Sequence, residues 1–114
     1  MKHFSLLVRV PKTYTIEQAE SVYPQWENVV EQWKTQNVYV LSFAFPGESH
    51  TIVGPENAVK NEPVWSGNLR VVSNIVLQCE TIAKALEHAK ACPILKYGGS
   101  VEVREIPNPV ALKE

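Results

Sequence analysis

Residues 91–107 read ACPILKYGGSVEVREIP, and this stretch decides the fold because it joins a helix end, a turn and a last strand. Pro93 stops the helix, since its ring removes a backbone donor and clashes with the preceding turn. Gly98 and Gly99 favour a turn with a positive φ, which glycine adopts readily because it has no side chain. Valines alternate with charged residues over 100–106, which predicts a strand with one apolar and one charged face. The apolar face requires a hydrophobic core, and the charged face lies against water or forms a site.

Apolar runs elsewhere in the chain predict three further long strands and a hairpin. The long strands are expected at 3–10, 38–45 and 71–79, and the hairpin arms at 50–53 and 58–60. In the first strand the even-numbered apolar residues, Phe4 to Val10, share the core face, whereas Arg9 points away from it. In the strand at 71–79, the odd-numbered residues from Ile75 to Cys79 share the core face. The even-numbered residues 70–78 are therefore expected on the opposite face.

Two helices are predicted, one between the first two long strands of the sequence and one between the last two. Thr15 and Gln18 have the spacing of a capping box, so the first helix begins near Thr15 and runs to about residue 36. Pro24 is expected to break this helix, leaving an amphipathic second piece whose Trp26 and Trp33 face the core. The second helix is expected over residues 81–91, with an inner face of Ile82, Ala85, Leu86 and Ala89.

The order of these elements predicts an α+β fold. Without the hairpin it is the split βαβ, ferredoxin-like pattern of an antiparallel sheet, with the strands in the order four, one, three, two. Two helices cover only one face of such a sheet. The other face is expected to carry Leu7, Val72, Val76 and Ile106. This surface is too apolar to be left fully in water, so we expect a second copy to pack sheet towards sheet.

The composition predicts one domain with a substantial core. The chain has 114 residues, of which 45% are hydrophobic. Its formal net charge of −1 gives no reason to expect nucleic acid or an anionic membrane as a partner. Arg9 interrupts the apolar run at the N-terminus, which is too short for a signal peptide, and no stretch reaches transmembrane length. We therefore expect a cytoplasmic protein with one domain over 1–107 and a loose tail over 108–114.

Neither a metal nor a cofactor is expected. All twelve acidic residues are Glu, and the three His are widely spread in the sequence. Cys79 and Cys92 lack the spacing of zinc ligands, so we interpret them as reduced, buried thiols. The sequence also lacks a phosphate-binding Gly-rich loop and an HExxH motif.

The closing segment resembles a known family. Cys92-Pro93 followed by residues 98–106 is similar to the closing strand of the YCII-related family, especially its DGPF subgroup, and residues 38–48 and 71–92 also look like that family. The resemblance implies a small cytosolic homodimer with the dimeric α+β barrel fold. Much of the family has no assigned reaction, and some relatives on the same fold are muconolactone-isomerase-like or monooxygenase-like enzymes.

Two positions depart from the family pattern. Some members carry a His on the first helix two residues after a Pro, where this chain has Trp26 after Pro24. The Asp-Gly-Pro-Phe of the subgroup corresponds here to residues 62–65, Glu-Pro-Val-Trp. A His–Asp acid–base pair therefore cannot be carried over to this sequence, and only a His–Glu substitute is left.

Charged residues on the predicted uncovered face form one candidate ligand site. Antiparallel pairing is expected to gather Arg9, Arg70 and Glu102 at one end of this face, with Arg104 further along and Asn74 on the same side. One interpretation is an anion pocket for a carboxylate or phosphate. The other is a salt-bridge network, or a set of dimer contacts, that satisfies buried charges.

His50 is the best candidate for proton transfer, with Glu48 two residues away to orient it. An exposed loop histidine without a role is the alternative. Three functions therefore stay open. The chain is a cofactor-independent isomerase- or lyase-like enzyme acting on a small organic acid, a non-catalytic ligand-binding or regulatory dimer, or a protein-interaction module whose cavity is filled.

Overall fold

The computed structural model describes residues 1–45 and 47–107, so the expected tail at 108–114 lies outside the described residues. Within these ranges the chain alternates strands and helices. In order they are β1 (Lys2–Pro11), α1 (Ile16–Thr35), β2 (Tyr39–Ala44), β3 (Thr51–Val53), β4 (Ala58–Lys60), β5 (Trp65–Ser66), β6 (Leu69–Cys79), α2 (Ile82–Ala89), a 3₁₀ helix (Pro93–Tyr97) and β7 (Ser100–Ile106).

β1 is a central strand of the main sheet. The strand order is β2-β6-β1-β7 with every neighbour antiparallel, as the sequence predicts. β5 pairs with the start of β6, and β3 and β4 form the predicted hairpin as a separate two-stranded sheet. The α+β class and the antiparallel sheet are thus confirmed, and the arrangement is consistent with a ferredoxin-like fold.

The core lies between one face of the sheet and the two helices. The even-numbered residues of β1, from Phe4 to Val10, are at most 1% exposed, and Leu77 of the neighbouring β6 is fully buried. Trp33 of α1 packs into the same cluster and is 2% exposed, so the predicted inward direction of this side chain is confirmed. Alternation along β1 therefore decides which face of the sheet the helices cover.

α1 begins as predicted but continues through Pro24. Gln18 N donates to Thr15 Oγ1 and the Thr15 backbone N–H donates to Gln18 Oε1, each at 3.1 Å, which completes the capping box. The predicted break at Pro24 is wrong, because α1 is one helix of 20 residues. Pro24 lies on the exposed side of the helix, where water can reach the carbonyl freed by its missing N–H. Val22 before Pro24 and Trp33 after it are both buried, and Trp33 belongs to the core cluster on the sheet, so a buried side chain anchors each half of α1.

α2 is shorter than predicted and packs through small residues. Ala85 and Ala89 are buried, but Ile82 and Leu86 are each 46% exposed, so these two do not belong to the inner face. The alanines let this short helix approach the sheet closely, and the larger side chains then lie along its flank. None of the helices in the described ranges is long and apolar enough to cross a lipid bilayer.

The two glycines before β7 have different roles. Gly98 ends the 3₁₀ helix with φ of 82°, as predicted for this turn. Gly99 does not need a positive φ. A Cβ atom there would lie 2.6 Å from the backbone oxygen of Arg9 and 2.7 Å from Cγ1 of Ile94. Gly99 is therefore required by the close approach of β1 to the closing segment.

Candidate functional site

The sheet face turned away from α1 and α2, here called the open face, carries a charged cluster. Arg9 Nη1 donates to Glu102 Oε1 at 2.7 Å, and Arg104 Nη1 lies 3.7 Å from Glu102 Oε2. One carboxylate thus faces two guanidinium groups, so one positive charge within the cluster is left uncompensated. We call these three residues the arginine cluster.

The register of β1 and β7 explains this geometry. Glu102 lies opposite Leu7, the neighbour of Arg9 along the same face, and Arg104 lies opposite Ser5. Side chains placed diagonally across antiparallel strands are within reach when they are long. The Arg9 side chain is 20% exposed, whereas that of Arg104 is 71% exposed. Arg9 is therefore the member that its surroundings hold in place.

Asn74 lies on the open face beside the cluster. Asn74 belongs to β6 and lies opposite Leu7 of β1. Its Oδ1 accepts a hydrogen bond from Ser5 Oγ at 2.5 Å. Half-buried Leu7 lies between Asn74 and Glu102, and half-buried Val76 lies opposite Ser5. The open face thus combines an anion-attracting group with apolar surface, as the sequence predicts for this side of the sheet.

Arg70 does not join the arginine cluster, and the predicted location of this residue is wrong. Val8 lies opposite Ser73, but the next residue, Arg9, lies opposite Val71, so Val72 is an extra residue in β6. Such a β-bulge reverses the facing of every side chain beyond it. Arg70 is consequently opposite the buried Val10, on the helix side of the sheet.

The bulge also moves Val72 away from its expected position on the open face. Val72 packs against the core cluster instead. Together with Arg70 it lines a cavity between α1 and the sheet, here called the helix-side groove. The groove has compartments of about 420 Å³ and about 310 Å³. The two compartments share Tyr23, Trp26, Ala44 and Ser73.

Tyr14 lines the larger compartment of the groove. Its ring packs edge-on against Tyr97, with 6.3 Å between the centroids. Burial raises the pKa of the Tyr14 phenol, and the nearby Tyr97 raises it further.

His50 and Glu48 form a pair at the base of the hairpin. His50 Nε2 lies 3.3 Å from Glu48 Oε2, while its Nδ1 is 2.9 Å from Asn61 Oδ1. When Nδ1 carries the proton and donates to Asn61, Nε2 is free to accept a proton beside the carboxylate. The side chains of His50 and Glu48 are 56% and 88% exposed. Both polar partners of His50 lie next to the hairpin strands, so nothing in these contacts joins His50 to the arginine cluster.

Sequence patterns could have revealed Asn61 but not the groove. Thr51 pairs with Lys60 in the hairpin, so continuing that register by one residue places His50 beside Asn61. The groove depends on the bulge at Val72 and on an unbroken α1, and neither has a signal in the sequence. Trp26, which the sequence predicts to face the core, lines the groove.

The described ranges, 1–45 and 47–107, contain no group of three or more His, Cys, Asp or Glu side chains that could hold a metal ion. Cys79 and Cys92 are free thiols, 3% and 2% exposed, so their predicted burial is confirmed. No known protein-family profile matches this chain, and no curated protein sequence matches it either.

Proposed function

We propose that the protein is a cytoplasmic homodimer of the YCII-related type that binds a small organic acid between the open faces of its two sheets. The observation that carries this proposal is the Glu102 carboxylate shared by Arg9 and Arg104. Arg9 cannot lose its proton, so burial of the face in a dimer leaves a positive charge that an anionic ligand can neutralise.

The apolar part of the open face supports the dimer. Leu41 of the edge strand β2 is 44% exposed and lies opposite Val76, and Phe43 is 48% exposed and lies opposite Asn74. These side chains continue the half-buried apolar surface around Leu7. A second copy would cover this surface and enclose a cavity, which is the dimeric α+β barrel arrangement.

Light scattering coupled to size-exclusion chromatography tests the dimer. The wild-type chain should elute with twice the 12.8 kDa chain mass. Leu41→Glu should shift it towards monomer, because a carboxylate would be buried without a partner. Ile82→Glu is the matched control, since Ile82 is 46% exposed on α2, away from the open face. A monomeric wild-type protein at micromolar concentration would refute the dimer.

A thermal-shift screen of small mono- and dicarboxylates tests the ligand. An acid that binds only the folded protein must raise its melting temperature. Arg9→Gln should weaken the binding of a screen hit about tenfold or more, because hydrogen bonds between charged groups contribute about 1.5–3 kcal/mol. Equal affinity in the folded, dimeric variant would assign the arginine cluster to the scaffold.

His50 supports a second candidate function, cofactor-independent acid–base chemistry of the isomerase or lyase type. The specific observation is that Asn61 and Glu48 engage the two ring nitrogens, which sets the orientation of the imidazole. Proton exchange at the α-carbon of the screen hit, followed by NMR in D₂O, would detect this activity. The exchange should be abolished in His50→Gln and kept in His88→Gln.

The outcomes of these tests also separate the other two functions. Binding of an acid without proton exchange favours the ligand-binding or regulatory dimer, and a dimer that binds no acid favours the interaction module.

A further inference from the structure

We propose that the helix-side groove is a second ligand site, which takes a monocarboxylate with an aromatic or branched apolar body. The groove lies across the sheet from the open face. This site is therefore separate from the proposed acid site, while Phe43 of the edge strand contributes both to the smaller compartment and to the open face.

The size and shape of the groove suit a small molecule. Its compartments of about 420 Å³ and about 310 Å³ are each within the range of about 300–1,000 Å³ that is usual for ligand pockets. Trp26 and Tyr23 contribute to both compartments, and Tyr23 is 64% exposed although it is a large aromatic residue. An apolar ligand body that covers these rings would remove this surface from water.

The two ends of the groove differ in charge. Arg70 lines the larger compartment, whereas the smaller one is lined by uncharged residues that include Val30 and Ile75. No carboxylate of the described chain lies within 4.0 Å of the Arg70 guanidinium, since none of the ion pairs found there includes it. A ligand with one charged and one apolar end therefore has a single favoured orientation.

The short strand β5 places an aromatic residue beside Arg70. Trp65 of β5 is directly opposite Arg70 of β6, so the two side chains share a face. Lys12 Nζ lies 4.9 Å from the centroid of the Trp65 ring. Arg70 is the charged residue that lines this end of the groove, and its positive charge favours a carboxylate over a neutral or cationic head group.

Titration calorimetry with 4-phenylbutyrate and its uncharged amide tests the site. The acid should bind the wild-type protein with a Kd at or below about 1 mM, and the amide should bind about tenfold or more weakly. Arg70→Gln should weaken binding of the acid by a similar factor, while Arg70→Lys should retain part of it. Lys90→Gln removes an exposed cation that lies outside both proposed sites, so it is the control and should leave this affinity unchanged.

Chemical shifts locate the bound probe. In ¹⁵N-correlated NMR spectra, the acid should shift the Trp26 indole N–H and the backbone amides of Ser73 and Ala44, which line both compartments. Ala19→Phe, which fills the larger compartment, should remove these shifts. Equal affinities of the acid and the amide for the wild-type protein, or shifts confined to the open face, would overturn the proposal. The amide comparison needs no variant, so a misfolded Arg70→Gln chain would not prevent the test.

Failure of this site is distinguishable from failure of the proposed acid site. Loss of affinity in Arg70→Gln alone supports the groove. Loss of affinity for 4-phenylbutyrate in Arg9→Gln alone would place the probe on the open face and refute the groove.

Discussion

Arg9 and Glu102 are 93 positions apart in the sequence, and Arg9 Nη1 donates a 2.7 Å hydrogen bond to Glu102 Oε1. The pair joins β1 to the edge strand β7 across the open face. Lys2 and Glu105 join the same two strands, but their charged atoms are 3.8 Å apart and their side chains are 57% and 42% exposed. The two pairs therefore allow a comparison between a short ion pair with a largely buried cation and a longer one with an exposed cation, between the same two strands.

Arg9→Gln should lower the free energy of unfolding by about 1 kcal/mol, because a charge-assisted hydrogen bond is lost and Glu102 is left with only the distant Arg104. Lys2→Gln should change it by less than about 0.5 kcal/mol, since exposed ion pairs contribute little. Urea denaturation at equal protein concentration measures both values. Equal effects of the two substitutions would show that the Arg9–Glu102 pair is as weak as a surface pair.

Trp33→Ala should destabilise the protein by about 3–5 kcal/mol, the range for truncating a large aromatic residue in a core. Trp33 is 2% exposed and belongs to the main core cluster. Tyr23→Ala on the same helix is the control, because Tyr23 is 64% exposed and should cost less than about 1 kcal/mol. Thermal and urea unfolding of the two variants and the wild-type protein measure both losses of stability. A loss below about 0.5 kcal/mol in Trp33→Ala would contradict the packing of α1.

Gly99→Ala should destabilise the protein by about 1–3 kcal/mol or more, as overpacking of a rigid site does. The added Cβ would lie 2.6 Å from the Arg9 backbone oxygen, and backbone cannot move as a flexible side chain does. Gly47→Ala is the control, since nothing lies within 4 Å of a Cβ there. The melting temperatures of the two variants give the comparison. Unchanged stability in Gly99→Ala would mean that β1 and β7 can separate freely at this point.

Ionisation of Cys92 should reduce stability at alkaline pH. Burial raises the pKa of this thiol from 9.0 to about 12. Above pH 9 the unfolded chain therefore loses the proton while the folded chain keeps it. The stability that the protonated thiol contributes is fully present below pH 9 and is lost as the pH rises towards 12. Over that range the free energy of unfolding falls by up to about 1.4 kcal/mol per pH unit.

Cys92→Ala should remove this part of the pH dependence. The measurement is the free energy of unfolding of both proteins in urea between pH 8 and pH 11, under reducing conditions. A constant difference between wild type and Cys92→Ala over that range would contradict a protonated, buried thiol.

Several features of this protein follow from its sequence alone. Alternation from Phe4 to Val10 determines which side of β1 is buried, because successive side chains of a strand point to opposite faces. Thr15 and Gln18 determine where α1 begins, since a capping box needs only residues three apart. The placement of Arg9 and Glu102 on one face also follows, because both strands alternate regularly up to these residues.

The tertiary structure decided the features that depend on contacts between distant segments. Pro24 stays inside α1 because a buried side chain anchors each half of the helix, Val22 before Pro24 and Trp33 after it, and this packing outweighs a local preference for a break. Ile82 and Leu86 are exposed because alanines on the same helix make the close contact.

The position of Arg70 is the clearest case. Sequence alternation predicts it beside Arg9, yet the extra residue Val72 turns it towards the groove beneath α1. A bulge has no local sequence requirement in a run of β-branched and polar residues. In the assembled sheet, β6 has one more residue than β1 between the pairs Val8–Ser73 and Arg9–Val71. Only the assembled sheet decides that register, and with it which face receives the guanidinium group.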